Sequence, residues 1–162
     1  MSSHRRGAVA AGHPATAEAA ASILSDGGNA FDTALAAMCT TCVVEPVLAS
    51  LGGAGFLTAR TASGDEHIFD FSTSTPLRHR SKEELEFYPI DVDFGSASQE
   101  FHIGMGSIAV PGAIRGLLDV HRALGKLPLT RIIAPALEAG RQGVAVNKLQ
   151  GFILEIISPI QM

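Results

Sequence analysis

Residues 51–71, LGGAGFLTARTASGDEHIFDF, give the clearest indication of the fold of this chain. A glycine cluster at 52–55 precedes two extended runs, Phe56–Thr61 and Glu66–Phe71. The residues between them, Ala62-Ser63-Gly64-Asp65, are typical of a β-hairpin loop. We therefore predict a hairpin introduced by a tight glycine loop, in which the glycines have a structural role.

Two alanine-rich helices are predicted before the hairpin, at Ala15–Ser25 and at about Ala30–Val43. Gly27-Gly28 ends the first, because glycine readily adopts the left-handed backbone found after a helix C-terminus. Asn29 is a typical N-cap for the second helix, and Asp32 follows three residues later, where a carboxylate favours the helix dipole. Small side chains on every side indicate that the second helix is buried.

The sequence after the hairpin predicts mainly helices. Between residues 72 and 110 we expect loop at Pro76, Pro89 and Gly95, a short helix at Lys82–Phe87 and a short strand at Ser107–Val110. Three longer helices are expected at Pro111 to about Gly125, Pro128 to Gly143 and Lys148–Ile157. The first of these has an apolar stripe formed by Ile114, Leu117, Leu118, Val120 and Leu124.

The predicted elements amount to an α+β fold that is incomplete. Only two strands of any length are predicted, and an isolated hairpin is marginal as a sheet. The helix at Lys148–Ile157 is strongly apolar and requires a covering surface. We therefore interpret the 162 residues as a fragment or one subunit of a larger fold.

Composition excludes several classes of protein. The net charge is -4 and the sequence pI is about 5.8, without the clustered Lys and Arg that phosphate binding requires, so nucleic acid is not an expected partner. The longest uncharged windows are shorter than the roughly 20 residues that span a bilayer, and no membrane association is expected. No signal peptide is recognised, which favours a cytoplasmic location.

Cys39 and Cys42 have the spacing of a redox motif or of half a zinc site. Zinc would require two more ligands, and the histidines of the chain show no paired ligand spacing. A redox pair would lie at a helix N-terminus, whereas these cysteines lie late in an apolar helix. We interpret them as small buried hydrophobic residues, and we expect neither a metal nor a cofactor.

Four blocks occur in an order that resembles the start of the gamma-glutamyltransferase large subunit. They are Gly7–Pro14 with the helix and GGNAFD that follow, Val44-Glu45-Pro46 leading into Leu51–Phe56, the hairpin ending at Asp70, and Val110-Pro111-Gly112 with its helix, followed by Gly125–Pro128, Ala134–Ala136 and Gly143. Each block is a weak signal, but the ordered set is specific and covers nearly the whole chain. Residues 1–162 thus resemble the N-terminal portion of that subunit.

The resemblance implies a four-layer αββα sandwich of the N-terminal-nucleophile hydrolase type, incomplete in this chain. Members of this family cleave themselves into two subunits, and the new N-terminal threonine of the small subunit attacks a gamma-glutamyl amide with its own α-amine as base. The acyl group passes to water, as in glutathione hydrolysis, or to an acceptor amine. Expected partners are the rest of the polypeptide or a small subunit, a small-molecule amide, and a further copy of the protein.

No catalytic residue is assigned within the chain. The family's Thr-Thr-His type motif lies downstream, and this sequence has only Thr40-Thr41-Cys42, inside a helix predicted to be buried. The chain alone is therefore predicted to be inactive. A degenerate, non-catalytic relative is one alternative, distinguished by the absence of a downstream Thr-Thr-His type motif.

Ser72 and Thr73 are the predicted substrate-binding residues. After the hairpin, gamma-glutamyltransferases have an arginine that grips the α-carboxylate of the donor, and alignment on Asp70 and Pro76 puts Ser72 at that position. Serine cannot form the bidentate, charge-assisted contact of a guanidinium group. The departure favours a second alternative, an amide acylase of the same superfamily with a non-glutamyl donor.

Overall fold

The structure, a computed structural model, describes residues 7–161, and the chain divides into two compact units. The first unit contains the described residues up to Ser72 together with Pro111–Val144, and the second contains Thr73–Val110 and the residues from Ala145 onward. Both helix and sheet are present, in agreement with the α+β prediction. The elements are α1 (Pro14–Ser25), α2 (Ala30–Val44), β1 (Phe56–Arg60), β2 (Glu66–Asp70), β3 (Tyr88–Asp93), β4 (Ser98–Ile103), α3 (Ala113–Leu124), α4 (Leu129–Ile132), α5 (Ala134–Gln142) and α6 (Lys148–Gln161).

The first two helices begin and end within one residue of their predicted bounds. His13 Nδ1 accepts a hydrogen bond from Ala15 N and thereby caps α1, which has Pro14 in its first turn. Asn29 and Asp32 form a complete capping box at the start of α2, since each side chain accepts from the backbone N–H of the other. Local signals therefore determine this part of the first unit.

The predicted hairpin is confirmed. Strands β1 and β2 pair antiparallel from Phe56 opposite Asp70 to Arg60 opposite Glu66. Leu57 and Phe69 lie opposite each other on one face of the pair and pack against the core. That core is formed by buried residues of α1–α5: Ile23, Leu35, Ala36, Cys39, Leu117, Val120, Ile132 and Ala136.

Helix α3 differs from its prediction at both its start and its buried face. Pro111 precedes the N-cap Gly112, so the helix begins at Ala113, two residues later than expected. Its buried residues are Ala113, Gly116, Leu117 and Val120, whereas Ile114 and Leu118, expected to face inward, are exposed. Gly116 lies against Phe71, which follows β2, so part of the buried face is formed by small residues, and Ile114 and Leu118 lie outside it.

The helix predicted from Pro128 to Gly143 is divided into α4 and α5. Pro135 lies in the first turn of α5 and has no N–H to continue the hydrogen bonds of α4, which ends at Ile132. Gly143 ends α5 with φ of 78°, in agreement with its predicted role.

The second unit contains two strands that were not predicted from the sequence. Strands β3 and β4 form an antiparallel pair that includes Pro89, a residue predicted to lie in a loop. In a two-stranded sheet both strands are edges, where proline is tolerated although it lacks an N–H. Lys82–Glu84 forms a single 3₁₀ turn at the predicted short helix, and the strand expected at Ser107–Val110 is reduced to a bridge between Val110 and Ser74.

Helix α6 packs against β3 and buries only part of its apolar surface. Val92 of β3 is fully buried, and Ile153, Ile156 and Ile157 of α6 are half-buried. Leu149 and Phe152, predicted on the same face, remain exposed. In residues 7–161, no helix is both long and apolar enough to cross a membrane.

Candidate functional site

The predicted site residues follow directly after β2. The backbone N–H and the hydroxyl group of Ser72 both donate to Oδ1 of Asp70, at 2.9 and 2.8 Å. Ser72 is the last residue of its segment of the first unit, and Thr73 is the first residue of the second unit; both are exposed. Asp70 was not predicted to be the partner of Ser72, although Asp-x-Ser spacing is typical of a turn closed by an aspartate side chain.

Phe71 anchors this turn in the first unit. Its backbone exchanges two hydrogen bonds with Gly55, which extends the hairpin by one residue pair. Its ring is buried against α3, where a β-carbon added to Gly116 would lie 2.2 Å from Phe71 Cγ. A β-carbon at Gly112 would lie 2.2 Å from the Phe71 carbonyl oxygen. Glycine at these positions therefore permits the close approach that fixes the backbone beside Ser72.

The glycine loop before β1 is joined to the start of α3. The Gly53 carbonyl accepts hydrogen bonds from the N–H groups of Gly112 and Ala113, at 3.2 and 3.1 Å. These donors belong to the first turn of a helix, which has no intrahelical partners for them. The geometry gives the loop the structural role that the sequence predicted.

The charged group at this turn is the exposed carboxylate of Asp70. Two donors on Ser72, first its backbone N–H and then its hydroxyl, lower the pKa of Asp70, because hydrogen bonds to an ionised carboxylate favour the charged form. A carboxylate with a lowered pKa is a weak base and is poorly suited to take a proton from the serine hydroxyl. The arrangement is therefore not suited to activate Ser72 as a nucleophile.

Thr40-Thr41-Cys42 occupies the interior of α2, as predicted. The hydroxyl of Thr40 is buried and has no hydrogen-bond partner in the described part of the chain. The hydroxyl of Thr41 lies 3.3 Å from that of Thr16 on α1. Thr41 therefore joins α1 to α2 and Thr40 is buried in the interior, and neither hydroxyl is positioned as a nucleophile.

Two cavities that the sequence did not predict adjoin the C-terminal end of α2. One has a volume of about 420 Å³ and the other about 430 Å³, and both are bordered by Cys42 and by the segment that includes Pro46, Ala49 and Ser50. The linings are mainly apolar. Within residues 7–161, no group of three or more His, Cys, Asp or Glu side chains is arranged to hold a metal ion.

Comparison with known proteins relates this fold to one enzyme family. The sequence profile of the gamma-glutamyltranspeptidase family matches residues 16–156. The acylase ACY 1 proenzyme of Pseudomonas sp. (strain SE83) is 31% identical over 147 residues, which are 88% of this chain and 26% of that protein. The glutathione hydrolase proenzyme of Pseudomonas aeruginosa is 33% identical over 145 residues, which are 89% of this chain and 25% of that protein.

A solved structure agrees with these sequence matches. The gamma-glutamyltranspeptidase from Pseudomonas nitroreducens complexed with L-DON superposes with a TM-score of 0.78 at 28% identity, over 97% of this chain and 45% of that one. The chain thus spans about a quarter of the length of the curated relatives it matches. By sequence and fold, this chain belongs to the gamma-glutamyltranspeptidase family and corresponds to its N-terminal part.

Proposed function

We propose that the protein to which these residues belong hydrolyses or transfers amides, with a threonine nucleophile supplied from outside the 162 residues. The match of residues 16–156 to the gamma-glutamyltranspeptidase family is the observation that carries this proposal. The Ser72 hydroxyl has only the weakly basic carboxylate of Asp70 beside it, and the Thr40 and Thr41 hydroxyls lie within helix α2 without an adjacent base. The nearest partner would be a small subunit of the same precursor, in keeping with relatives that are named proenzymes.

We further propose that the β1–β2 hairpin belongs to an inner layer of a four-layer αββα sandwich. One face of the hairpin packs on the helical core through Leu57 and Phe69. The opposite face exposes Phe56 and Ile68, which are 68% and 76% accessible. A strand pair with apolar residues on both faces is suited to burial between two layers. This two-sided pattern supports a second sheet packed against the exposed face.

Ser72 and Thr73 are proposed to contact the acyl donor. A donor that carries a free α-carboxylate would meet the charge of Asp70 at this turn, where no guanidinium is supplied by position 72. Like charges at close range repel, so a donor without that carboxylate is favoured. The resemblance to an acylase supports this choice over a gamma-glutamyl donor, while the glutathione hydrolase relative supports the alternative.

A comparison of two anilides with the mature, full-length protein tests the donor. Gamma-glutamyl anilide and 4-aminobutyryl anilide differ only by the α-carboxylate, and both release the same aniline. We expect a higher kcat/KM for the 4-aminobutyryl compound. A preference for the gamma-glutamyl compound would contradict the role given to Ser72.

The variant Ser72→Arg is the matched control. A guanidinium at this position restores a bidentate partner for the carboxylate, so the preference should move towards the gamma-glutamyl donor by about tenfold or more.

The mass and N-terminal residue of the same preparation test maturation: two subunits, one beginning with threonine, are expected. An uncut protein that cleaves neither anilide would favour a degenerate relative. The cytoplasmic location stays a prediction.

A further inference from the structure

Cys39 and Cys42 lie one helical turn apart on α2, and both are free thiols. They are the two cysteines of the chain. Cys39 is buried, with 7% of its surface accessible, and Cys42 is half-buried. Side chains three residues apart on a helix lie on the same side, so the two sulfurs are neighbours.

Both thiols border the same cavity. This cavity has a volume of about 430 Å³, and the remaining lining includes Val43, Pro46, Leu51, Ile133 and Leu137. Its surface is mainly apolar and its size falls within the range of small-molecule sites, roughly 300–1,000 Å³. A ligand in the cavity would therefore reach two sulfur atoms and an apolar wall.

Helix geometry decides what can join the two sulfurs. The β-carbons of residues three apart on a helix are about 5–6 Å apart. A disulfide requires a separation of about 3.5–4.5 Å between β-carbons, so a direct S–S bond would distort α2. A single atom inserted between the sulfurs spans the wider separation and leaves the helix intact.

We propose that Cys39 and Cys42 form a chelating dithiol that binds a monosubstituted trivalent arsenical, with the organic substituent in the adjoining apolar cavity. Two S–As bonds form and the As=O bond of the arsenoxide breaks. The oxygen leaves as water together with the two thiol protons, and no atom changes its oxidation state. The reaction therefore needs no oxidant or reductant.

The ligand set favours arsenic(III) over the hard or four-coordinate metal ions. Thiolates are soft ligands, and a structural zinc site uses four ligands. No group of three or more metal-binding side chains is found within residues 7–161, so the dithiol has no further ligand of this kind to offer. Arsenic that already carries one carbon substituent needs two sulfurs to complete its bonding.

The protonation of the two thiols is compatible with binding of an arsenoxide. Burial, and to a smaller extent the neighbouring Cys42, raises the pKa of the Cys39 thiol to about 11. Burial also raises the pKa of Cys42. Both thiols are therefore protonated at neutral pH. An arsenoxide takes up both protons in the water that it forms, so it reacts with the protonated dithiol without releasing protons into solvent.

Phenylarsine oxide is the probe that tests the site. The purified protein is incubated with it in the presence of excess glutathione, which competes as a monothiol, and is examined by native mass spectrometry and thermal unfolding. We expect one phenylarsenic group per chain, a raised Tm, and reversal by the dithiol 2,3-dimercaptopropanol. An adduct that forms only after denaturation would overturn the proposal.

Cys39→Ala and Cys42→Ala are the matched variants. Loss of either thiol removes the chelate, and apparent affinity should fall by about 100-fold or more. Each variant is first checked for cooperative unfolding, and Cys42→Ala remains decisive if the buried substitution prevents folding, because Cys42 is half-exposed. Retention of the adduct by folded Cys42→Ala in glutathione would contradict the proposal.

Discussion

Asp32 is fully buried and accepts hydrogen bonds from three backbone N–H groups. Asn29 is its partner in the capping box, while Lys126 and Leu127 lie more than 90 residues further along the chain. Asn29 also donates to the Leu124 carbonyl at 2.7 Å. The sequence predicted Asn29 as the N-cap and the place of Asp32 in the first turn of α2, because both signals lie within four residues. It did not predict the distant partners, because backbone N–H groups have no residue-type signature.

Replacement of Asp32 by Asn should destabilise the protein by about 2–4 kcal/mol, because one acceptor becomes an NH₂ group that faces backbone donors in a buried site. Urea unfolding followed by far-UV circular dichroism measures the change. Glu66→Gln makes the same carboxylate-to-amide change on the exposed surface of β2 and should have a much smaller effect. Equal stabilities for the two variants would contradict the role of Asp32.

The hydrogen bonds from Ser72 to Asp70 predict how the stability of this turn depends on pH. The Ser72 N–H and hydroxyl group lower the pKa of Asp70 in the folded protein. Their contribution to stability is therefore fully present above the ordinary pKa of about 3.9, and it is lost as pH falls through the lower pKa of the folded state. In Ser72→Ala the N–H remains and the hydroxyl is lost. The pKa of Asp70 should therefore rise part of the way towards its ordinary value in a carboxyl NMR titration. An unchanged pKa would mean that the hydroxyl bond is absent in solution.

At the scale of elements, the contact between the hairpin and α3 depends on Gly116. Alanine favours a helix over glycine by about 1 kcal/mol, but its β-carbon here would lie 2.2–2.5 Å from three atoms of Phe71. Overpacking of a buried contact costs about 1–3 kcal/mol. We therefore expect Gly116→Ala to lose about 1–2 kcal/mol of stability in urea unfolding.

Gly140→Ala on α5 provides the matched control. A β-carbon there would lie 3.8 Å from Val43 Cγ1, an ordinary van der Waals distance. The helix preference for alanine should then dominate, and the variant should gain up to about 1 kcal/mol. The pair of variants thus has opposite expected signs. A gain in both would show that α3 can move away from Phe71 without loss.

Elements stabilised by residues close to them in the sequence were predicted accurately, and elements stabilised by distant residues were not. Helices α1 and α2 were predicted within one residue because their caps lie next to them. Strands β3 and β4 were missed because Pro89 is a loop signal and α6, which packs on β3, lies more than 50 residues later. The pattern of large apolar residues also misassigned Ile114 and Leu118, because the buried side of α3 is formed partly by Ala113 and Gly116.

At the scale of the whole molecule, the order of the motifs was more informative about the protein family than any single helix or strand. Single blocks such as the glycine cluster are common, but the order in which the blocks follow one another along the chain predicted the family whose profile matches residues 16–156. The candidate site was predicted only through this resemblance. Its local geometry, in which Ser72 donates to Asp70, is indicated by the Asp-x-Ser spacing of the sequence and was not part of the prediction.

Release of aniline by the pure 162-residue chain tests the central claim, that the reactive hydroxyl lies outside these residues. The chain is supplied separately with gamma-glutamyl anilide and with 4-aminobutyryl anilide, and each rate is compared with that of buffer alone. We predict no release above the buffer rate from either compound. Sustained release in proportion to the concentration of the chain would contradict the account, because it would place a working nucleophile within the 162 residues.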